Sequence, residues 1–483
     1  MPVFVQRRRD MVGPLNGVAQ SLRLTQVSSL VLVRGGGVAL QFVAVIAVAW
    51  VLDEAAAGTY FFAFSIAQVS AALARVGLDQ TMVRNVPILL HRGQHARIRG
   101  ALGSTIALGC SGAVIVALAA GQLVPPPVRQ HLVLAIVAMV VMSVAIAALQ
   151  GLDRSRSFAL LRDVVQPGAF VLWLVFATSD ARNALTGLAG SYLLSFLIAL
   201  GLVIAVVGIG RLQAPPRHVF TDAISLWPTT LLAQGLRWSD SLVLGLIAGP
   251  SLLATFTPLS RAAALVTFPL TVVNVSFPQR IALLARLSDT PRMQALSRLA
   301  TGLSVLASSA VIVAIWPYLA TMVPWVVPGT HDTGATLAFG ILIIGQLLSA
   351  ATGPSGYMLM MTGLARFEST ALLAGLAAYV GLATATVPTY GIVAAAAAAA
   401  TMYGLSNALR LRVILRRLGL VLTGRQHVIA FAAVGSIIIA ATTLPTMLVA
   451  PIQVGLIGLI ARETAVLVRT TPSTSRDTSE GTS

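Results

Sequence analysis

Residues 131–150 read HLVLAIVAMVVMSVAIAALQ, a run of consecutive positions without one Asp, Glu, Lys or Arg. An α-helix needs about 20 apolar residues to cross the hydrocarbon core of a bilayer. The run is continuously apolar and does not alternate with polar residues, as a strand of a membrane barrel would. It therefore predicts a membrane-spanning helix.

The rest of the chain has the same character. Of its 483 residues, 57% are hydrophobic and 10% are charged, whereas about a quarter of the residues of a soluble domain are charged. A soluble fold cannot keep so much apolar surface from water. This composition excludes a soluble enzyme, a nucleic-acid-binding domain and a secreted disulfide scaffold, and it indicates an all-α polytopic membrane protein.

Comparable apolar runs recur along the whole chain and predict about fourteen transmembrane helices. They lie at 29–52, 57–77, 100–120, 131–150, 158–177, 186–209, 225–247, 253–274, 301–323, 334–354, 368–386, 389–409, 427–444 and 446–461. The predicted organisation is a cytoplasmic segment (1–28), an N-lobe of six helices (29–210), a C-lobe of six (211–420), an extra helix pair (421–469) and a disordered tail (470–483).

The basic residues predict the orientation of these helices. All of the 32 basic residues are arginines, and the net charge is +17. With both termini in the cytoplasm, 25 arginines fall in inner segments and only Arg129 and Arg182 in outer loops. This distribution follows the positive-inside rule. It predicts a multi-pass protein of the cell membrane with both termini cytoplasmic, and it accounts for the charge without a nucleic-acid partner.

An offset of 196 residues aligns two parts of the chain. It places the stretch 57–61 on 253–257 and Arg84 on Arg280, with similar apolar runs around both. Six predicted spans separate the two copies. An even number of spans gives a parallel repeat about an axis along the membrane normal, and such repeats are typical of transporters.

Four short motifs resemble the Wzx-type polysaccharide flippases. These are Gly58-Thr-Tyr60, Gly77-Leu-Asp79-Gln-Thr-Met-Val-Arg84, Arg237-Trp-Ser-Asp240-Ser-Leu-Val-Leu-Gly245, and Phe277-Pro278 followed by Asp289. The family is a branch of the superfamily of multidrug, oligosaccharidyl-lipid and polysaccharide (MOP) exporters, and the resemblance spans residues 29–420. The sequence departs from the family in its extra helix pair and in Ala254-Thr-Phe256, where a Gly-x-Tyr pattern is expected.

The resemblance implies two six-helix lobes around a central cavity that opens to one face of the membrane at a time. The implied cargo is a polyprenyl-pyrophosphate-linked oligosaccharide, moved from the cytoplasmic to the outer leaflet. Membrane lipids are expected partners, polysaccharide-assembly proteins are further candidates, and no cofactor is implied.

Charged residues within the spans are the candidate site residues, because each costs about 2.5–3.5 kcal/mol to insert at the bilayer centre. Arg237 and Arg261 lie near the middles of two neighbouring spans and are predicted to bind pyrophosphate. Arg34, followed by three glycines, is a third candidate. Asp240 lies one turn after Arg237, so it either neutralises Arg237 or binds the coupling ion, H⁺ or Na⁺.

Other charged residues have simpler interpretations. Arg75 and Arg162 lie near inner span ends and are expected to reach the headgroups. Asp163 is expected to pair with Arg162, and Glu368 with Arg366. His91 and His95 have helical spacing, but Gly93 lies between them and no third ligand follows, so no metal site is expected.

Three alternatives to the polysaccharide flippase remain at this level. A lipid II flippase shares the superfamily and tends to carry fourteen helices. A small-molecule or multidrug exporter is the second alternative, although its cationic cargo favours deep carboxylates over arginines. A membrane-embedded polysaccharide polymerase is less favoured, because the short outer loops hold no set of acid and base groups. We therefore expect that the protein is not an enzyme.

Overall fold

The computed structural model describes residues 18–177, 180–214 and 218–470. Within these ranges the regular elements are all helices, and no strand is present. This confirms the all-α prediction. Most of the predicted N-terminal segment and the predicted tail lie outside the described residues, as does the side chain of Arg34.

The N-lobe contains eight helices, and a π-helical turn at Leu161–Val165 joins two of them. The helices are α1 (Val18–Val51), α2 (Glu54–Arg75), α3 (Leu78–His91), α4 (His95–Ala120), α5 (Pro126–Gly151), α6 (Ser155–Leu160), α7 (Gln166–Ala177) and α8 (Ala181–Val207).

The C-lobe and the extra helix pair follow the N-lobe along the chain. The C-lobe helices are α9 (His218–Ile247), α10 (Pro250–Ala264), α11 (Phe268–Arg286), α12 (Thr290–Ile315), α13 (Leu319–Val326), α14 (Thr333–Thr352), α15 (Ser355–Met361) and α16 (Ala365–Leu418). The extra pair is α17 (Arg425–Thr443) and α18 (Thr446–Thr470).

Eleven helical stretches of the described residues are long and apolar enough to cross a membrane. Each of the fourteen predicted spans coincides with helical residues, because α1 and α9 add two spans and α16 contains two. Large apolar side chains remain exposed on the bundle, among them Ile115, Phe176 and Val454. A bundle surrounded by lipid needs no polar cover, so these side chains fit a lipid-facing surface.

Helix α16 folds back on itself at Gly391. Its φ of 57° and ψ of −134° lie where a side chain is strained, so glycine suits this reversal. The two halves then run antiparallel, since Gly375 packs against Met402 and Ser406. The predicted pair of spans at 368–386 and 389–409 is therefore confirmed as one hairpin.

The two lobes repeat the same order of elements. Helices α4 and α12 each have 26 residues, and they begin 195 positions apart, at His95 and Thr290. Short helices α6 and α15 also occupy equivalent places, each after the fourth span of its lobe. The repeat expected from the offset of 196 thus appears in the arrangement of the helices.

We call the end of the bundle that carries the turn at 52–53 the upper end, and the opposite, arginine-rich end the lower end. At the upper end Trp50 of α1 donates a hydrogen bond to the carbonyl oxygen of Trp325 over 2.8 Å. Gly58 of α2 packs directly against the carbonyl of Pro250, where a Cβ would have no room. The lobes are therefore in close contact at this end.

Helix α2 and the turn that follows it contact α9 at two levels. Phe62 packs on Gly245 near the upper end, and Gly77 packs on the backbone of Ala223 near the lower end. Small residues let helix backbones approach closely in a membrane, where the hydrophobic effect contributes little between helices. This seam holds α9, with its two deep charges, beside the N-lobe.

Candidate functional site

The central ion pair joins two neighbouring helices of the C-lobe. A terminal nitrogen of Arg261, on α10, lies 3.4 Å from Oδ1 of Asp240, on α9. The Arg261 side chain is 20% exposed and the Asp240 side chain 7%. The structure thus brings two of the predicted site residues together, and it leaves Asp240 without an ion pair to Arg237.

The Asp240 carboxylate accepts further hydrogen bonds. The backbone N–H of Ser241 donates to Oδ1 over 2.7 Å, and the hydroxyl of Ser260 donates to Oδ2 over 3.2 Å. The hydroxyl of Tyr379, on α16, donates to the backbone carbonyl of Asp240 over 3.1 Å. A buried charge is tolerated when it is paired and hydrogen-bonded, and Asp240 meets both conditions.

Arg261 also lies over an aromatic ring. Its guanidinium carbon is 4.2 Å from the centroid of the Trp238 ring, close enough for a cation–π interaction. Trp238 in turn meets Phe64 of the N-lobe edge to face, with their centroids 5.0 Å apart. The Nε atom of Arg261 is buried and has no hydrogen-bond partner among the described residues. Arg261 is thus fixed from two sides while retaining an unused donor.

Arg237 has different surroundings. It lies on α9, its side chain is exposed, and no carboxylate of the described residues is within 4 Å of it. The charges that act on it are those of Arg261 in the C-lobe and of Arg162 and Asp163 in the N-lobe. Arg237 is therefore exposed and without an ion pair among the described residues, in contrast to Arg261.

Arg34 belongs to α1, next to a glycine-rich segment that contacts both lobes. Gly35 faces the ring of Phe268 at the start of α11, where a Cβ would lie 3.1 Å from the ring, and Gly37 packs against Asp163. The backbone therefore places Arg34 within one turn of contacts to Phe268 in the C-lobe and to Asp163 in the N-lobe. Its side chain lies outside the described residues, so its role stays a prediction.

Arg162 was not among the predicted site residues. Arg162 belongs to the π-helical turn between α6 and α7, and its side chain is 51% exposed. Pro167 explains this turn, because it has no N–H for the carbonyl of Asp163 and its ring displaces that carbonyl. The sequence feature that could have indicated this turn is the pair Arg162-Asp163 inside an apolar run, with a proline four residues after Asp163.

Several other expected pairings have a definite outcome. Asp163 does pair with Arg162, with 3.7 Å between Nε and Oδ1. Glu368 pairs with Arg410 at 2.6 and 2.8 Å, so the expected pair with Arg366 is wrong. The two residues are far apart in sequence, and the α16 hairpin brings them together. Arg366 lies over the ring of Phe367 instead, 4.9 Å from its centroid.

Arg75 also differs from its expectation. Its side chain is 11% exposed, donates to the hydroxyl of Ser143 over 2.8 Å and lies 3.7 Å from Asp79. It therefore links α2 to α5 within the N-lobe and does not extend to the headgroups. Within the part of the chain that the structure describes, no three His, Cys, Asp or Glu side chains are grouped to hold a metal ion.

The structure resembles solved transporters over most of its length. A multidrug resistance MATE transporter of the MOP superfamily, in an inward-facing conformation, matches 81% of this chain and 94% of its own, with 15% identity and a TM-score of 0.58. The lipid II flippase MurJ, in an inward closed conformation, matches 91% of this chain and 99% of its own, with 11% identity and a TM-score of 0.67.

A third match is a MOP superfamily transporter from Pyrococcus furiosus. It covers 81% of this chain and 95% of its own, with 15% identity and a TM-score of 0.57. No family model matches the sequence, and no curated protein matches it. At identities this low the likeness concerns the fold alone, while the polysaccharide branch stays a prediction. The chain is an all-helical polytopic membrane protein with the fold of the MOP-superfamily transporters.

Proposed function

We propose that the protein is a flippase that moves a polyprenyl-pyrophosphate-linked oligosaccharide from the inner to the outer leaflet during cell-surface polysaccharide biosynthesis. The observation that carries this proposal is Arg237, an exposed guanidinium deep in the bundle with no carboxylate partner among the described residues. Arg261, on the neighbouring helix, is paired with Asp240 but keeps a buried Nε without a hydrogen-bond partner among the described residues. An arginine without a counter-charge and a second guanidinium with an unused donor favour an anionic cargo.

The chemistry of a diphosphate suits this arrangement. A guanidinium donates two parallel hydrogen bonds to phosphate oxygens, and hydrogen bonds between charged groups are stronger than neutral ones. An uncompensated arginine inside the membrane is costly. A bound pyrophosphate would provide the missing counter-charge at Arg237 and accept a hydrogen bond from the free Nε of Arg261. Most of the binding energy would then come from the pyrophosphate headgroup, which all such lipids share.

Alternating access gives the direction of movement. The close upper-end contacts at Trp50–Trp325 and Gly58–Pro250 support a conformation that is shut on that side. We assign the lower end to the cytoplasm from its arginines, which places both termini there. Cargo would enter from the lower side, and separation of the upper-end contacts would release it to the outer leaflet.

Asp240 is the proposed coupling carboxylate. It is buried in the described part of the bundle and shares Arg261 with any anion that binds there. A proton on Asp240 would remove the charge that holds Arg261, and a sodium ion would compete with Arg261 for the same oxygens. Either ion would thereby change how strongly Arg261 can hold the cargo.

The proposal is tested by lipid extraction from cells that lack this protein. We expect one polyprenyl-pyrophosphate-linked oligosaccharide to accumulate in the inner leaflet, and the wild-type chain to reverse this. R237A should fail to reverse it at equal membrane abundance, while R156A, which removes an exposed arginine from α6, should succeed. No accumulation, together with altered sensitivity to amphiphilic drugs, would contradict the proposal and favour an exporter.

Lipid II transport is the second candidate, and one observation favours it. The match to the lipid II flippase covers 91% of this chain. Residues 1–420 alone amount to less than that share, so the match includes part of the extra helix pair. The same lipid extraction distinguishes the two candidates, because accumulation of lipid II itself would identify this cargo. A multidrug exporter is less favoured, since a cationic cargo would meet Arg237 and Arg162.

A further inference from the structure

The two ends of α16 meet at the lower end of the bundle, where one aromatic ring contacts two arginines. The guanidinium carbon of Arg366 lies 4.9 Å from the centroid of the Phe367 ring, and that of Arg417 lies 5.6 Å from it. Both distances are within the range of a cation–π interaction. The arginines come from opposite halves of the hairpin, and their guanidinium carbons can be no farther apart than the sum of these two distances.

These two guanidinium groups have no counter-charge within the part of the chain that the structure describes. Arg366 and Arg417 are exposed, and neither side chain forms an ion pair or donates a hydrogen bond there. The carboxylate next to them in sequence, Glu368, is bonded through both of its oxygens to Arg410. The ring of Phe367 therefore holds two like charges in place while their hydrogen-bond donors stay available to an anion.

An exposed stripe begins at Arg366 and continues along the first half of α16. It consists of Thr370, Leu373, Ala377 and Val380, which follow at alternating steps of four and three residues and so share one face of the helix. The Thr370 hydroxyl is bonded to the carbonyl oxygen of Arg366 over 2.9 Å, so it leaves the stripe apolar. Because α16 is long and apolar enough to cross a membrane, this face fits against acyl chains.

The two features together indicate the chemistry of the ligand. A guanidinium donates paired hydrogen bonds to phosphate oxygens, and basic side chains at the ends of membrane helices attract anionic headgroups. A soluble phosphate would bind the two guanidinium groups and make no use of the stripe. A phospholipid would use both, because its acyl chains continue from the phosphate along the helix. The arrangement therefore favours an anionic phospholipid over a soluble anion.

We propose that Arg366, Phe367 and Arg417 form a binding site for the phosphate of an anionic phospholipid in the leaflet at the lower end of the bundle. Phe367 orients both guanidinium groups, one phosphate neutralises them, and an acyl chain lies on the stripe of α16. The lipid thereby joins the two halves of the hairpin at its open end. The site shares no residue with the candidate cargo site, so it does not depend on the proposed function.

The first test measures binding of phosphatidylglycerol to the purified full-length protein by native mass spectrometry. We expect R366Q and R417Q each to weaken binding by about tenfold, because each removes charged hydrogen bonds to one phosphate. The matched controls R412Q and R416Q remove the same charge from exposed positions of the same helix that are not placed over the Phe367 ring. They should stay within about twofold of wild type. Equal weakening in all four variants would show a general attraction to positive charge and overturn the site.

The second test leaves the net charge unchanged. F367L keeps an apolar side chain but removes the ring that orients both guanidinium groups, so binding of phosphatidylglycerol should weaken by about threefold or more. F367Y keeps the ring and should bind as the wild type does. Thermal unfolding in a neutral lipid checks that each variant is folded. Equal binding by folded F367L and F367Y would contradict the role of the ring.

The third test distinguishes a lipid from a soluble phosphate. L373Q places an amide on the stripe and should weaken binding of phosphatidylglycerol by about threefold or more, because an amide is unfavourable against acyl chains. L337Q, at a similarly exposed leucine of α14, is the control and should have no effect. Glycerophosphoglycerol, the same headgroup without acyl chains, should bind far more weakly than the lipid. Equally tight binding of this headgroup, or no effect of L373Q, would overturn the assignment to a lipid.

Discussion

Arg237 lies on α9 and Arg261 on the next helix, α10. The two arginines differ in whether a carboxylate neutralises them. Arg261 neutralises Asp240 and is packed over Trp238, so it is part of the folded core of the C-lobe. Arg237 has no such partner among the described residues and is exposed. Removal of Arg261 should therefore affect folding as well as transport, and removal of Arg237 transport alone.

Replacing Arg261 by Ala leaves the buried Asp240 carboxylate without its counter-charge. We expect R261A to lower the free energy of unfolding by about 3 kcal/mol, as for other broken buried pairs, while R237A leaves it unchanged. Thermal unfolding of the purified variants in detergent measures this difference. R261A/D240N should regain part of the loss, since no uncompensated charge remains. Equal stability of R261A and R237A would contradict the pairing.

Asp180 gives a prediction for pH. It caps the first turn of α8, and the hydrogen bond from the backbone N–H of Asn183, together with Arg182, lowers the pKa of the Asp180 carboxyl below its ordinary 3.8. A lowered pKa means that this group stabilises the fold above its ordinary pKa. The stabilisation is lost as the pH falls through the lower, folded value.

Substitutions at Asp180 separate the cap from the charge. D180A should cost about 1 kcal/mol at neutral pH, because a helix cap is lost, whereas D180N should keep most of the cap. Unfolding measured between neutral and strongly acidic pH should show a smaller acid-dependent loss in D180N than in the wild type. An identical pH dependence of unfolding in both proteins would show that Asp180 does not contribute to the pH dependence of stability.

At the scale of elements, the reversal of α16 depends on one residue. The hairpin brings Glu368 to Arg410, and Arg410 also donates to Asn407 over 2.8 Å. Asn407 is bonded to Thr352 and Ser349 of α14, so the reversal connects three helical segments. The larger polar network therefore forms only because the backbone reverses direction at Gly391.

Replacing Gly391 by Ala should cost about 1–3 kcal/mol, because its φ of 57° and ψ of −134° are strained for a residue with a Cβ. The matched control is G381A, in the same helix, at an exposed position where a Cβ meets nothing within 4 Å. G381A should be neutral or slightly stabilising, since alanine favours helix. Thermal unfolding of both variants measures the difference, and equal melting temperatures would contradict the role of Gly391.

At the scale of the whole molecule, the upper end is closed by contacts between the two lobes. The bond from Trp50 to Trp325 is exposed to solvent, and a net hydrogen bond contributes about 1 kcal/mol. A change of that size alters an equilibrium between closed and open states by about fivefold. On the proposed function, the Trp50–Trp325 bond is thus a weak contact that opening of the upper end would break.

Replacing Trp50 by Phe should open the upper end more often. In a C110S background, A254C lies in the buried upper part of α10, at 4% exposure. We expect W50F to increase its labelling by an impermeant maleimide by about fivefold, as one lost hydrogen bond implies. W173F is the control, because Trp173 donates a similar bond to Asn183 within the N-lobe. Equal labelling in W50F and W173F would contradict a role in closure.

The apolar runs were sufficient to predict which stretches are helical, since each of the fourteen predicted spans coincides with helical residues. The repeat was also readable from the chain, in an offset that the helices follow closely. Which charged residues form ion pairs could not be predicted from the sequence. Neutralising its helical neighbour Arg237 was one of the two roles expected for Asp240, and Glu368 was expected to pair with its near neighbour Arg366. Each carboxylate pairs instead with an arginine distant in sequence, Arg261 and Arg410.

The sequence by itself determined the helical class, the positions of the apolar helices and the presence of rare deep charges, because hydrophobicity acts residue by residue along the chain. Only the tertiary structure decided which of these charges are neutralised. Close approach at small residues such as Gly37 and Gly58, and the π-helical turn before Pro167, set the distances between helices. Electrostatic interaction depends on those distances, and they pair Asp240 with Arg261 and Asp163 with Arg162.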